Sequence, residues 1–345
     1  MITKSTYGRT KHKTTNKDKT MKVSVIIPIY KVEEFIERCA TSLFEQTLSD
    51  VEYIFVDDAT PDRSILILQE ILDRFPERKG HVHFLHHETN RGLPAARNTG
   101  LALASGDYIF HCDSDDYLEI DMLRSMVEEA DKCEADFVYC DWWLSYKKNE
   151  RLMSEPKCVS SEQALRMMLR GGMKYNVWNK LIRRDVYEKN KIQFPEGYGL
   201  GEDMTIIKLL VSSKRVLYIN KAFYHYVQFN SSSFTSTSLS RNIDVLMHNT
   251  EGVIAFIRSS FGTKYEMDIS CFLLNVKLPL LISFDKENYA LWESMFKDAH
   301  VAIWKNDRMS LRVRLLQWAA SKGLWWFVKF HNYVVYKMVY ANLYN

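Results

Sequence analysis

From Lys22 onward the chain alternates between short apolar runs and longer amphipathic stretches. "KVSVIIPI" (22–29) is almost wholly apolar and β-rich, the pattern of a strand buried on both faces. In "VEEFIERCATSLFEQT" Val32, Ile36, Cys39 and Leu43 recur at helical spacing. "VEYIFVDD" (51–58) predicts a second buried strand, and Ile65, Leu68 and Leu72 mark a second helix. "HVHFLHH" (81–87) predicts a third strand, with His81 and His83 on one face and Val82 and Phe84 on the other. "LPAARNTGLALA" predicts a helix ending at Ser105-Gly106, and "DYIFHC" a fourth strand. A helix through "EIDMLRSMVEEADKC" and a fifth strand, "ADFVYCDW", complete the series.

Strand and helix in strict alternation predict an α/β protein with a doubly wound, mainly parallel sheet. Ligands of such sheets bind beyond the carboxyl ends of the strands. Pro28 and Tyr30, Asp57 and Asp58, Asn90, and then Asp113 and Asp115 all fall there. In "CDSDD" Asp113, Asp115 and Asp116 crowd into four positions. Like charges ~4 Å apart repel by about 4 kcal/mol at an effective dielectric near 20, so such a turn is best tolerated opposite a cation.

After about residue 150 the alternation stops. "SSEQALRMMLR" is helix-like and leads to Gly171-Gly172, followed by "NVWNKLIRRDVYEKN" and a glycine-rich loop, "PEGYGLGED". A helix "MTIIKLLVSS" and two strands, near "RVLYIN" and "AFYHYVQF", follow, and residues 239–345 read as helical and aromatic throughout.

Composition narrows the classes. The 345 residues are 46% apolar and 26% charged, ordinary for a soluble globular protein. The net charge of +3 is unevenly placed: +5 in residues 1–20, +6 in residues 308–345, and −8 between them. An acidic body argues against nucleic-acid binding, which uses a basic face. Residues 1–20 are polar and basic, predicting a disordered tail, with Met21 a second plausible start. Six scattered cysteines without a C-x-x-C pair read as reduced thiols of a cytoplasmic protein. No apolar run approaches the roughly 18 to 20 residues that span a bilayer, and the N-terminus lacks a secretory h-region. No Cys or acid pattern completes a zinc set with His81 and His83, so those histidines read as structural.

"VSVIIPIY", "VDDAT", "NRGLPAARNTG", "CDSDD", "NVWNKL" and "GED" occur in the order found in family 2 glycosyltransferases, which carry the nucleotide-sugar-binding GT-A fold. Over residues 22–235 the chain resembles bacterial members that build capsule, exopolysaccharide or lipopolysaccharide chains. The resemblance implies a nucleotide-sugar-binding half over 21–150, an acceptor-side half over 151–238 and a helical C-terminal extension over 239–345. It implies that Asp113 and Asp115 hold Mn²⁺ or Mg²⁺ against the donor diphosphate, with Asp115 the direct ligand, and leaves Asp116 unassigned. Hard oxygen donors and phosphates suit either ion. It implies that Pro28 and Tyr30 line the base pocket and that Asp58 accepts from a base N–H. Uracil and thymine present that donor and adenine and cytosine do not, so UDP- or dTDP-sugars are favoured, while the ring N–H of guanine keeps GDP-sugars open. Asn90 and Arg97 fall on the ribose and phosphate side, Arg97 alternatively bridging a crevice acid. Asp203 is implied as the general base that takes a hydroxyl proton in an inverting displacement. Trp178, Asn179, Lys180 and Glu202 border the acceptor side, where Trp178 stacks on a sugar or packs in the core. His225 falls where it approaches the diphosphate or serves the fold.

The expected partners are a nucleotide-sugar, most simply a UDP-sugar, and a saccharide or lipid-linked saccharide. Residues 308–345 combine Trp, Tyr and Lys without an acid. Such a tail suits peripheral contact with the inner face of an anionic membrane, or else a helical flap or a homodimer surface. Two rival enzymes, a nucleotidyltransferase and a dinucleotide-dependent dehydrogenase, want a glycine-rich phosphate loop after the first strand, where "IPIYKVEE" stands. A catalytically inactive nucleotide-sugar-binding protein is the remaining alternative, against which Asp115 and Asp203 count.

Overall fold

A computed structural model describes residues 21–199, 201–229 and 243–336; the basic tail and the last nine residues lie outside it. The expected alternation forms β1 (Val23–Ile29), α1 (Ile36–Phe44), β2 (Val51–Asp57), α2 (Ser64–Leu72), β3 (Val82–His86), α3 (Leu93–Leu103) and β4 (Tyr108–His111). The four strands are parallel in the order β3-β2-β1-β4, with Val25 opposite both Tyr53 and Phe110. All seven β1 residues are buried, as an unbroken apolar run requires. The chain builds outward from β1 to β3 and then returns across β1 to β4. That reversal opens a crevice at the carboxyl ends of β1 and β4. Helix α3 presses close enough on β1 that a Cβ on Gly100 would lie 2.5 Å from Cγ2 of Ile26. His81 ends a 3-10 turn (Pro76–His81) rather than joining β3, which is an edge strand paired only with β2 among the described strands.

Beyond β4 come β5 (Tyr117–Leu118), α4 (Met122–Cys133), β6 (Phe137–Ser145), β7 (Glu150–Met153), α5 (Ser161–Leu169), β8 (Lys180–Arg183), α6 (Arg184–Asn190), α7 (Thr205–Val211) and β9 (Val216–Val227). The sheet continues β4-β8-β6-β9-β5, with β7 beside β6. The fifth strand of the alternation, β6, therefore does not pair with β4. The four-residue β8 lies between them, antiparallel to both. Its brevity and its position just before α6 hide it from periodicity. The two strands expected over 215–229 form one strand, β9. It runs parallel to β6 and slips register where Ile219 and Ala222 face the consecutive Cys140 and Asp141, leaving Asn220 and Lys221 bulged into solvent.

Helices α8 (Ile243–Phe261), α9 (Glu266–Leu281), α10 (Lys286–Ser294), α11 (Leu311–Ser321) and α12 (Trp325–Val335) follow. The first two share the main core through Ile254, Ile257, Ile269 and Phe272. Buried Asp268 of α9 accepts from Arg166 Nη1 (2.5 Å) and Arg170 Nε (2.6 Å), pinning α9 to the end of α5. The last three helices have a smaller core around Leu281, Trp292, Leu316 and Val328. Below it, buried Lys277 donates to the carbonyls of Trp292 (2.9 Å) and Met295 (2.6 Å), and burial pushes its ammonium down to about 7. Among the described residues no helix is long and apolar enough to cross a membrane.

Candidate active site

A cavity of about 700 Å³ opens at the crevice. Pro28 and Tyr30 enter it from the end of β1, Asp58 from the end of β2, and Asn90 from the loop before α3. Asp113 and Asp115 enter from the turn after β4, and Arg97 from α3. The ring of Tyr30 stands at the mouth, 41% exposed, with Nζ of Lys31 5.0 Å from its centroid. Asp58 is buried and serves the loop as well as the cavity. Its Oδ1 accepts from the Arg91 amide (2.8 Å) and from His87 Nδ1 (2.6 Å), and its Oδ2 accepts from the Gly92 amide (2.8 Å). His87, which sequence reasoning passed over, is thereby a positioning residue, with its Nε2 2.9 Å from the Thr99 hydroxyl. Gly92 enters α3 with φ near +86°, a conformation that strains any side-chain-bearing residue.

The acid-rich turn divides its three carboxylates. Asp113 forms a 3.0 Å ion pair with Arg97, whose guanidinium is almost wholly buried, so the expected bridge from Arg97 to a crevice acid is present. Asp113 and Asp115 face the cavity. Asp116 turns inward and is fully buried, accepting from the Tyr224 hydroxyl (2.8 Å) and the Val227 amide (2.8 Å). Burial, and then the charges of Asp115 and Asp113, push the Asp116 carboxyl well above its usual range. Tyr224 also accepts from the Asp113 amide (3.1 Å), so one phenol on β9 fixes both ends of the turn.

Asp203 reaches the same cavity from a 3-10 turn (Glu202–Met204) ahead of α7. Burial pushes its carboxyl up to about 6; Asp113 adds to the rise, and the positive charges of Arg97 and Lys180 restrain it. A carboxylate poised there accepts a proton near neutral pH, as a general base must. The Glu202 side chain lies outside the described residues.

The segment 178–180 splits. Trp178 is on the cavity wall but packed, its ring stacked on Tyr224 (4.5 Å) and Tyr226 (5.1 Å). Asn179 and Lys180 lie behind the wall. Asn179 donates to the Cys140 carbonyl (2.9 Å) and accepts from Lys180 Nζ (2.7 Å). Burial pulls Lys180 down to about 8 against the attraction of Glu155, and its charge acts on Asp203 from beneath. His225 is not a cavity residue. Its Nδ1 meets Glu150 (2.8 Å), its Nε2 meets Glu119 (2.9 Å), and its ring stacks on Tyr117. Asn176, which opens the NVWNKL segment, also lines the cavity, as do residues that no motif flagged: Tyr175, Leu246 of α8, and Asn275, Val276 and Pro279 of α9. Only tertiary packing brings these C-terminal positions to the crevice.

Acids gathered where parallel strands diverge, facing a poised carboxylate across one cavity, define a GT-A-like transferase architecture. Residues 24–192 match the family described as Glycosyl transferase family 2. The uncharacterized glycosyltransferase EpsJ of Bacillus subtilis is 30% identical over 272 residues, 76% of this chain and 77% of its own length. The chain belongs to glycosyltransferase family 2, and it is a transferase. The structure of S. aureus TarS (residues 1–349) in complex with UDP-GlcNAc superimposes with a TM-score of 0.70 at 20% identity, covering 92% of each chain. A mannosyltransferase from Pyrobaculum calidifontis, in complex with GDP-Man and Mn²⁺, has a TM-score of 0.51 at 17% identity, covering 88% of this chain and 87% of its own. At those identities the likeness shows the fold alone.

Proposed function

We propose that the protein is an inverting glycosyltransferase that moves a sugar from a UDP-sugar to a hydroxyl of a saccharide or lipid-linked saccharide in surface polysaccharide synthesis. The observation that carries this proposal is that Asp58, Asp113, Asp115 and Asp203 line one cavity. The base lies against Pro28 and Tyr30, with Asp58 taking the N3–H through the remaining lone pair of Oδ2. The UDP-GlcNAc complex of TarS supports a uridine donor.

Asp113 and Asp115 fit a divalent cation. Magnesium and manganese bind through one or two carboxylates plus substrate phosphates, so this pair and a diphosphate make a suitable oxygen set. Bound there, Mn²⁺ or Mg²⁺ would offset the charge of the departing diphosphate. Arg97 orients Asp113 through their ion pair. Asp203 takes the acceptor hydroxyl proton as that oxygen bonds to the anomeric carbon and the carbon–oxygen bond to the diphosphate breaks. The electron pair leaves with UDP, and a single displacement inverts the centre. Lys180 and Arg97 keep the base deprotonated near neutrality despite its burial.

A thermal-shift screen of UDP, dTDP, GDP and their sugars with Mn²⁺ tests the donor assignment, because a ligand of the folded state raises its melting temperature. UDP compounds giving the largest rise is the expected result. A larger rise with GDP compounds, or none with any nucleotide, refutes a uridine donor.

A further inference from the structure

The last two helices each leave an apolar stripe uncovered. On α11, Leu311, Leu315 and Trp318 recur at i, i+4 and i+7 and are exposed, with exposed Lys322 continuing the row. On α12, Trp326, Phe330 and Tyr333 repeat the same spacing, Trp326 at 67% and Phe330 at 61% exposure. Residues at i, i+4 and i+7 share one helix face. The opposite faces are buried: Leu316 and Ala320 of α11 and Val328 of α12 enter the small core with Leu281 and Trp292. Both helices therefore turn inward toward one cluster and outward with an aromatic row. Exposed Trp304 extends the surface, its ring 6.5 Å from that of Trp318. So does Phe284, 6.4 Å from Tyr336.

Charge selects the occupant. The last acid in the sequence is Asp307, and Arg170 holds it at 2.9 Å. Exposed Arg312, Lys322 and Lys329 accompany the aromatic rows, while Arg308 pairs with Asp307 at 3.6 Å. Burial of large aromatic side chains in a protein interface calls for a complementary apolar partner, whereas Trp and Tyr beside unopposed Lys and Arg match a bilayer's headgroup region. An anionic leaflet attracts each such cation by an amount equal to about a fivefold gain in partitioning. A second copy of this face would bring its own cations against these.

We propose that the outward face of α11 and α12 seats on an anionic lipid surface, peripherally and without spanning it. The assignment does not depend on which sugar or acceptor the crevice takes. It is tested with the full chain in sedimentation with vesicles of phosphatidylcholine alone and of phosphatidylcholine with phosphatidylglycerol at about 3:1, without nucleotide. Binding to the anionic vesicles only, weakened by salt on the order of 0.5 M, is expected. Lys322→Gln with Lys329→Gln lowers that binding about 25-fold, and Trp326→Ser with Phe330→Ser lowers it about tenfold or more. Unchanged thermal melting of these surface variants separates lost binding from lost fold, and the two pairs act through different forces. Equal binding to both vesicle types, no binding, or wild-type binding by the variants overturns the proposal. A solution dimer that Trp326→Ser with Phe330→Ser dissolves, with no vesicle binding by the wild type, assigns the face to a second copy and also overturns it.

Discussion

On one side of the crevice, Pro28 lies near the carboxyl end of one parallel strand and Asp58 and Asp113 follow two others, and the strand order alone carries them to the same opening. On the other side, Trp178 precedes an antiparallel strand, Asp203 leads a helix, and Asn275 and Pro279 come from α9. The first side is fixed by local rules of β/α winding, the second by packing between segments up to 100 residues apart in sequence. In the proposed reading three acids of the first side, Asp58, Asp113 and Asp115, serve the donor, and Asp203 of the second serves the acceptor. Arg97 is central to both, paired with Asp113 and acting on Asp203.

The largest expected effect breaks the comparison at its base. Asp203→Asn lowers UDP-sugar hydrolysis, with water as acceptor, by about 10³-fold in kcat. A rate within tenfold of wild type removes Asp203 from proton transfer. The same group sets a pH limit. Protonated below about 6, Asp203 cannot accept, so kcat/KM falls about tenfold per pH unit there. A flat profile from pH 5 to 8 contradicts the assignment. Next in size, Tyr224→Phe strips a donor from buried Asp116 and an acceptor from the Asp113 amide. The expected cost is about 1–3 kcal/mol of stability by denaturant titration, together with weaker metal-dependent UDP binding. Loss of neither shows that the turn holds without β9. The smallest effect sharpens the division: Lys180→Met removes a cation beneath Asp203, so its carboxyl rises further and the acidic limb moves up by about one pH unit. An unmoved limb means that Arg97 alone restrains Asp203.

The donor side was the more legible. Pro28, Tyr30, Asp58, Asn90, Asp113 and Asp115 fall at strand or loop ends that hydrophobic periodicity places, Arg97 falls early in α3, and all line the cavity. Periodicity failed where pairing is non-local. The four-residue β8 carries too few positions to show a period, and its insertion displaces β6 from β4. The bulge in β9 read as a break between two strands because Asn220 and Lys221 interrupt the apolar run. Three aspartates within four positions look alike in sequence, yet Asp116 is withdrawn by Tyr224, more than 100 residues downstream. Asn179 and Lys180 adjoin a cavity residue in sequence, but Asn179 is tied to the Cys140 carbonyl and Lys180 to the Asn179 amide, both buried behind the wall. The wall from α8 and α9 had no motif to announce it.

Calorimetric titration of UDP with Mn²⁺ into wild type, Asp115→Ala and Asp203→Asn tests the division of labour most directly. The division predicts that Asp203→Asn binds UDP as wild type does, while Asp115→Ala loses about 10- to 100-fold in affinity and no longer responds to Mn²⁺. Wild-type, Mn²⁺-dependent binding by Asp115→Ala, or a comparable loss in Asp203→Asn, contradicts it.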